Sequence, residues 1–166
     1  MARMMTCLHI VDMDVIWMRY AVALVSSKNF LGDITVGAVL IYRGRLIGYG
    51  WNESIVYNDP SAHAEIMALR MGGKILNNYR LLNTILYVTL EPCIMCIGAI
   101  IHARVYRLVF GARNNKIGWT NLNRLKYILC HPMINHYPII RRGVLEEVCI
   151  HRIMDFFKYQ RKKIRR

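Results

Sequence analysis

Acidic residues, paired cysteines and long apolar runs are all scarce in this chain. It has 10 Asp and Glu against 23 Lys and Arg, which gives a formal net charge of +13. So large a basic excess favours a polyanionic partner, either nucleic acid or an acidic membrane surface. A solvated basic surface without a partner is the alternative interpretation of the same composition.

Apolar residues are abundant but spread along the chain. They make up 55% of the 166 residues, which is enough for a buried core. No apolar run approaches the ~20 residues that a membrane span needs. Residues 1–10 resemble a weak signal sequence, but Asp12 and Asp14 interrupt the run and no small-residue cleavage site follows. We therefore expect a soluble protein with no membrane segment.

The five cysteines are odd in number, and a disulfide framework is not expected from them. This favours a reducing compartment, and we predict a cytoplasmic location. The chain has no internal repeats, linkers or low-complexity segments. Its length fits one domain over residues 1–166, with a basic C-terminal helix from about residue 145.

The chemistry-bearing residues are His63 and Glu65, followed later by the run Pro92-Cys93-Ile94-Met95-Cys96. One imidazole and two thiolates would supply three ligands for a tetrahedral Zn²⁺ and leave the fourth position open, as in catalytic zinc sites. Glu65 would then be free to move protons. The ordered pattern H-x-E, then P-C-x-x-C, is the signature of zinc-dependent nucleobase deaminases.

The spacing of these residues indicates where they lie on helices. Residues two apart do not share a helix face, so His63 and Glu65 can reach one site only at a helix tip. Residues 59–61 offer a capping side chain and a first-turn proline, and the glycines at 72–73 predict the end of that helix. A structural zinc, with Cys7, Cys130 or another histidine as fourth ligand, remains the alternative here.

Apolar periodicity predicts a mixed succession of helices and strands. Helical spacing covers residues 11–27, and strand patterns cover 36–42, 46–51, 85–90 and 105–110, with a short edge strand near 139–140. The strand 85–90, the cysteine helix and the strand 105–110 form a βαβ unit. Ligands in such sheets bind at the carboxyl ends of the strands, where the cysteines lie.

The C-terminal helix combines aromatic and basic residues. Leu145, Cys149, Phe156 and Phe157 fall on or near one face, and residues 161–166 are almost all basic. A basic helix end is commonly a solvated face that suits the helix dipole. Aromatics interleaved with cations beside a nucleobase site favour contact with phosphates instead.

With these residues identified, the chain resembles the bacterial tRNA-specific adenosine deaminases of the cytidine-deaminase-like superfamily. Those enzymes convert the wobble adenosine of a tRNA anticodon to inosine. The similarity runs in order along nearly the whole chain, and its longest segments are 36–40, 59–70, 86–96 and 109–113. It implies an α/β fold with three layers, α/β/α, around a central mixed sheet of about five strands.

The resemblance also implies roles for individual residues. One Zn²⁺ per subunit would be held by His63, Cys93 and Cys96, with Glu65 as the proton shuttle. Residues expected to contact the substrate are Asn52, which hydrogen-bonds the base, Val36 and Ala64, which line its pocket, and Asn114, Phe157 and Arg161. The implied partners are a tRNA anticodon stem-loop, for which we expect an arginine tRNA, and a second subunit in a homodimer.

Three departures from the family pattern concern the surroundings of the site. Thr35 replaces a usual proline, Asn114 replaces a common aspartate near the substrate backbone, and the loop 116–122 is bulkier than the family's version. The exchange at Asn114 leaves the choice between RNA and DNA open. Alternatives to the tRNA enzyme are therefore a DNA-editing deaminase, a deaminase of a free base or nucleotide, and a zinc-stabilised RNA-binding subunit without activity. The presence of Glu65 argues against the last.

Overall fold

A single mixed sheet of five strands forms the centre of the molecule. The computed structural model describes residues 2–26, 32–114 and 134–164. Its strands are β1 (Gly37–Tyr42), β2 (Arg45–Trp51), β3 (Thr84–Leu90), β4 (Arg107–Ala112) and β5 (Ile139–Arg142). Their order in the sheet is β2-β1-β3-β4-β5. β1 is antiparallel to β2 and β3, while β3, β4 and β5 are parallel, which confirms the predicted mixed sheet.

Helices cover both faces of this sheet. They are α1 (Ala2–Ser26), α2 (Ser54–Tyr57), α3 (Ala64–Leu76), α4 (Ile94–His102) and α5 (Glu146–Ile164). Val39 and Leu40 are successive in β1 and point to opposite faces. Leu40 shares one core cluster with Ala68 of α3, and Val39 shares the other with Met18 of α1 and Cys149 of α5. The predicted three-layer α/β/α fold is therefore confirmed. That residues 1–166 form one domain stays a prediction.

The predicted βαβ unit consists of β3, α4 and β4. β3 is buried along most of its length because helices cover both of its faces, and its sequence is accordingly an almost continuous apolar run. α4 begins just beyond the carboxyl end of β3, and the chain returns in β4, parallel to β3. The first turn of α4 therefore lies at the sheet edge where a ligand is expected.

The first helix begins at Ala2, well before residue 11, where the periodic pattern starts. Residues 2–10 are mainly of types with favourable helix propensity, such as Ala, Met, Leu and Arg, so the helix extends without a periodic signal. Within the described ranges, no helix is both long and apolar enough to cross a membrane.

The prediction that the helix after His63 ends at residues 72–73 is wrong, because α3 continues to Leu76. The buried Gly72 serves close packing rather than termination, since a Cβ there would collide with the Leu40 side chain. Gly48 of β2 faces it, and a Cβ on Gly48 would collide with the carbonyl oxygen of Ala68. The backbone of α3 therefore lies directly on the sheet.

The actual end of α3 is at Asn77, which has the left-handed backbone conformation with φ of 47°. Its N–H donates to the carbonyl of Lys74, and the N–H of Asn78 reaches back to the carbonyl of Gly73 at 3.0 Å. Asparagine is, after glycine, a common residue for such a helix end.

A buried ionic cluster joins α1 to three strands. Asp14 is fully buried and accepts hydrogen bonds from both terminal nitrogens of Arg107 at 2.7 Å, from the Tyr87 hydroxyl at 2.8 Å, and from Arg141. Burial opposes the charge on Asp14, but the hydrogen bonds from Arg107 and Tyr87 outweigh it and lower the pKa of the carboxyl. The sequence showed Asp14 only as an interruption in an apolar run.

Candidate active site

Two helix tips bring the three predicted ligand residues together. His63 is the N-cap residue of α3 and Cys93 is the N-cap residue of α4, while Cys96 lies in the first turn of α4. The Nδ1 atom of His63 lies 3.6 Å from the Sγ atom of each cysteine, and the two Sγ atoms are 3.6 Å apart. The three side chains could hold a metal ion.

The dimensions of this triangle fit zinc. A tetrahedral ion with Zn–S bonds of about 2.3 Å and Zn–N bonds of about 2.0–2.1 Å separates its donor atoms by about 3.5–3.8 Å. The three observed separations of 3.6 Å lie within that range. No further His, Cys, Asp or Glu joins the group within the described residues. Cys7 and Cys130, considered above as a fourth ligand, lie outside the side chains that the structure describes.

The electrostatics of the two thiols also call for a cation. A hydrogen bond from Cys96 is the main reason that the pKa of Cys93 is lowered to about 4, and the His63 ring adds to this effect. The same hydrogen bond, followed by burial, raises the pKa of Cys96. Two thiolates this close repel each other, so only a positive ion between them stabilises both in the charged state.

Glu65 lies beside the triangle, in the first turn of α3. Its side chain is almost completely buried and reaches the Sγ atom of Cys96. Burial raises the pKa of Glu65 to about 7, although its own backbone N–H and the His63 ring favour the charged form. A carboxyl group with this pKa can both accept and donate a proton near neutral pH.

Asn52 caps the helix that carries His63 and Glu65. Its Oδ1 atom accepts the first N–H of α3, that of Ala64, at 3.0 Å, while its own backbone N–H donates to Val36 at 3.2 Å. A backbone N–H can only donate, so Oδ1 must face Ala64 and the NH₂ group of Asn52 must point elsewhere. Asn52 lines the same cavity as His63 and Glu65.

The prediction that residues 59–61 cap this helix is wrong. Asp59 instead accepts hydrogen bonds from the backbone N–H and the hydroxyl of Ser61 at 2.8 and 2.7 Å, which closes a turn before the helix begins. Arg70 holds the turn from α3, with bonds to Ser61 at 3.1 Å and to Asp59 at 3.5 Å. The cap comes from a residue distant in sequence, which local spacing does not reveal.

A cavity of about 420 Å³ opens above the triangle and Glu65. Of the residues predicted to contact the substrate, Val36, Asn52 and Asn114 line it. Ala64 is fully buried, and its backbone N–H donates to the Oδ1 atom of Asn52. Phe157 and Arg161 lie on α5 and are not among the described residues that line the cavity.

Two carboxylates in the cavity wall were missed by sequence reasoning. Asp33 accepts the backbone N–H of Ile55 at 3.0 Å, and Glu91 accepts the backbone N–H of Asn114 at 2.9 Å. Each carboxylate thereby joins two chain segments at the mouth of the cavity. Glu91 directly precedes Pro92, inside the similar segment 86–96, so its position carried a signal. Nothing in the sequence around Asp33 distinguished it.

The last helix reaches the cavity side of the sheet. The hydroxyl of Thr35, next to the cavity residue Val36, donates to the backbone carbonyl of Arg152 in α5 at 3.2 Å. A proline at position 35, which is usual in the family, has no such donor. Beyond Arg152, Phe156 is buried, whereas Phe157 and Tyr159 are 46% and 48% exposed. The basic residues 161–163 are exposed as well. The loop 116–122 lies outside the described residues.

Comparison with known proteins places this geometry in a family. Residues 12–112 match the model of the cytidine and deoxycytidylate deaminase zinc-binding region. A tRNA-specific adenosine deaminase of Haemophilus influenzae is 50% identical over 153 residues, which cover 92% of this chain and 87% of that protein. One from Buchnera aphidicola subsp. Baizongia pistaciae is 49% identical over 159 residues, covering 91% and 92%.

Solved structures agree with these relatives. A structure from studies of A-to-I editing by tRNA:A34 deaminases superposes with a TM-score of 0.76 at 36% identity, covering 82% of this chain and 97% of that one. A guanine deaminase from Nitrosomonas europaea superposes with a TM-score of 0.71 at 25% identity, covering 86% and 83%. Given the zinc-binding geometry and the identity over most of both chains, this protein belongs to the tRNA-specific adenosine deaminase family.

Proposed function

We propose that this protein catalyses the zinc-dependent hydrolytic deamination of adenosine to inosine at the wobble position of a tRNA anticodon. The observation that carries the proposal is the equilateral triangle of His63, Cys93 and Cys96 with the buried Glu65 beside it. This arrangement provides a metal site with an open position and a proton shuttle at the bottom of one cavity. Identity of about half with tRNA-specific adenosine deaminases supports the choice of adenosine and of tRNA.

In this mechanism His63, Cys93 and Cys96 would hold the ion. When zinc is bound there, hydroxide would be available near neutral pH. Glu65 accepts a proton from the attacking water and delivers protons to the ring nitrogen and to the leaving amino group. One water is consumed, oxygen becomes bonded to C6, and ammonia departs. Because Glu65 is not a ligand, it remains free for both transfers.

The cavity would hold the adenine ring. The NH₂ group of Asn52, turned away from Ala64, is a donor for an acceptor nitrogen of the ring, and Val36 supplies an apolar wall. Ala64 contributes through its backbone, which fixes the Asn52 amide. Entry of the base requires that the nucleotide turn out of the anticodon loop, and this costs less where the loop is already unpaired.

The RNA outside the cavity would lie along α5 and the rim at Asn114. Phe157 and Tyr159 offer exposed rings for stacking, and Arg161 begins an exposed run of three cations. This combination favours a polynucleotide over a free base or nucleotide, which has no use for such an extended surface. The superposition with a guanine deaminase is the observation that favours a free base, and the fold alone does not exclude it.

We also propose that the protein is a homodimer through the exposed side of α3 and α4. Tyr79, which follows α3, and Ile94 of α4 are 61% and 66% exposed and line one groove together with Gly98 and His102. A second groove lies between α3 and α4 and includes Leu69. Apolar surface of this kind is typical of a protein interface.

The arginine tRNA remains our proposal for the substrate, and a tRNA substrate suits the predicted cytoplasmic location.

Inosine formation tests the function directly. Zinc-loaded protein is incubated with an unmodified arginine tRNA that carries a wobble adenosine, with a DNA stem-loop of the same sequence, and with free adenosine and guanine. Conversion of the tRNA alone is the expected result. Conversion of the DNA as well would extend the substrate range, whereas exclusive conversion of a free base would overturn the proposal.

A further inference from the structure

Glu91 occupies a fixed place between the metal-binding loop and the rim of the cavity. It follows Leu90, the last residue of β3, and stands two residues before Cys93. Its backbone N–H donates to the carbonyl of Ala112 at 2.8 Å, which extends the parallel pairing of β3 and β4 by one more step. The residue is only 3% exposed, so its side chain is held within the protein.

The carboxylate of Glu91 acts on the chain where it leaves the sheet. β4 ends at Ala112, and two residues later the N–H of Asn114 donates to the Oε2 atom of Glu91 at 2.9 Å. Both residues line the cavity, on the β4 side of β3, whereas Val36 lines it on the β1 side. The Glu91 side chain therefore ties this wall of the cavity to the end of β3.

Loss of this bond should be costly. The bond is partly buried, and a backbone N–H that is shielded from water and loses its acceptor costs free energy. Residues 113 and 114 belong to neither a strand nor a helix. Glu91 is only two residues before Cys93 in the chain. Its hydrogen bond to Asn114 therefore fixes the position of Asn114 relative to the candidate metal site.

We propose that Glu91 is a positioning residue that fixes the cavity rim at Asn114 relative to the metal site and thereby sets how the substrate nucleotide is held. It acts through Asn114 and touches neither the reacting carbon nor the transferred protons. The inference rests on the proposed function, because it assumes that the cavity holds a nucleotide. Its structural half, the fixing of Asn114, does not depend on which substrate that is.

The test compares Glu91→Ala with Glu91→Gln in the zinc-loaded, full-length protein. Glu91→Ala removes the carboxylate that accepts the Asn114 N–H, so KM for the tRNA stem-loop should rise about tenfold while kcat changes less than about twofold. Glu91→Gln has the same shape and its amide oxygen can accept the N–H, so it should restore KM to near the original value. Zinc content should equal that of the unmodified protein in both variants.

Hydrogen exchange supplies a readout that needs no substrate. The amide of Asn114 should exchange faster in Glu91→Ala than in the unmodified protein, and Glu91→Gln should restore its protection. Equal exchange in all three proteins would overturn the inference, as would loss of zinc or a fall in kcat at constant KM in Glu91→Ala. If unmodified protein converts no stem-loop, the proposed function fails, and the exchange measurement still decides the role of Glu91.

Discussion

At the scale of single residues, the proposed chemistry depends on a carboxyl group, that of Glu65, which is not among the candidate metal ligands. Glu65 lies on the same helix tip as His63, but its burial keeps its pKa near 7, where both protonation states are populated. A ligand carboxylate would lose that freedom, because the metal holds it in the ionised form.

Replacing Glu65 should lower the turnover rate and leave metal binding unchanged. We expect Glu65→Gln to lower kcat by about 10²–10⁴-fold, because it cannot accept the proton of the attacking water. Zinc content, measured by mass spectrometry on the purified protein, should not change. A variant that had lost its zinc would show that Glu65 is a ligand and that the mechanism is wrong.

The two roles proposed for the Asn52 amide, helix capping and base recognition, can be tested separately. Asn52→Asp keeps an oxygen for the Ala64 N–H and adds a charge that suits a helix N-terminus, so zinc content and Tm should be retained. It replaces the NH₂ donor with an acceptor, so KM for the stem-loop should rise about tenfold or more.

The control for this prediction is Asn52→Ala, which removes both groups and should also cost about 1 kcal/mol of stability through the lost cap. Thermal denaturation followed beside steady-state kinetics distinguishes the two variants. Full activity in Asn52→Asp would mean that the NH₂ group does not contact the base.

At the scale of secondary-structure elements, the buried Asp14 attaches α1 to β4 and to the edge strand β5. Removing one member of such a cluster leaves two guanidinium groups without their carboxylate. We expect Asp14→Asn to lower the free energy of unfolding at pH 7 by about 3–5 kcal/mol, as measured by urea denaturation. The loss should be larger than that of Glu147→Gln, a change at an exposed residue in the first turn of α5.

The pH dependence of this difference follows from the lowered pKa of Asp14. A carboxyl group that is more acidic in the folded state stabilises the fold above its unfolded pKa of about 4 and loses that effect as pH falls through the folded value. The gap between the two proteins should therefore be constant near neutrality and close below about pH 4. A gap that widens on acidification would contradict this account.

The C-terminal helix provides a prediction about RNA affinity. Replacing the three cations at 161–163 by glutamine should weaken stem-loop binding and reduce the slope of log Kd against log salt by roughly two, because each phosphate contact to a single strand contributes about 0.7. Fluorescence anisotropy over a salt series measures both quantities. An unchanged slope would remove α5 from the RNA contact surface.

A matched control removes three cations elsewhere. Arg43 and Arg45 lie at the β1–β2 hairpin and Lys74 lies in the last turn of α3, all exposed and at the sheet edge away from the cavity. Their replacement by glutamine changes the net charge by the same amount. The salt slope should then stay close to that of the unmodified protein.

These elements also show where sequence reasoning succeeds and where it stops. The grouping of His63, Cys93 and Cys96 was predictable because their residue types and spacing are those of a zinc site. The cap from Asn52 was not, since it depends on a loop folding back onto α3. The end of α3 was misjudged because a glycine that terminates a helix and one that lets a strand approach are identical in sequence. The cavity wall was not predicted, because it is formed by chain segments that are far apart in sequence, such as those around Asp33 and Glu91.

At the scale of the whole molecule, charge is divided between the surface and the cavity. The chain carries +13, yet three of its ten acidic residues, Asp33, Glu65 and Glu91, line the cavity. A positive surface attracts the phosphates of a polynucleotide, while the acidic interior suits a neutral base. The arrangement favours a substrate whose reacting part and charged part are held in different places.

The proposed dimer can be tested without disturbing the fold. A Cβ on Gly98 would meet no atom within 4 Å, so Gly98→Arg should leave the subunit intact while it places a charge in the proposed interface. Analytical ultracentrifugation should show a dimer for the unmodified protein and for Gly98→Ala, and a monomer for Gly98→Arg. A monomer in all three would show that α3 and α4 do not form the interface.

The close contact of α3 with β2 has a consequence for how this protein can change by mutation. Because a Cβ on Gly48 would collide with the main chain of α3, main-chain atoms fix the distance between this helix and β2. Most exchanges of core side chains can then be absorbed without moving α3, whereas any side chain at Gly48 would displace the helix that carries His63. Mutations that adapt the protein to new substrates should accordingly be found around the cavity, near Ile34 and Asn114, and not at Gly48.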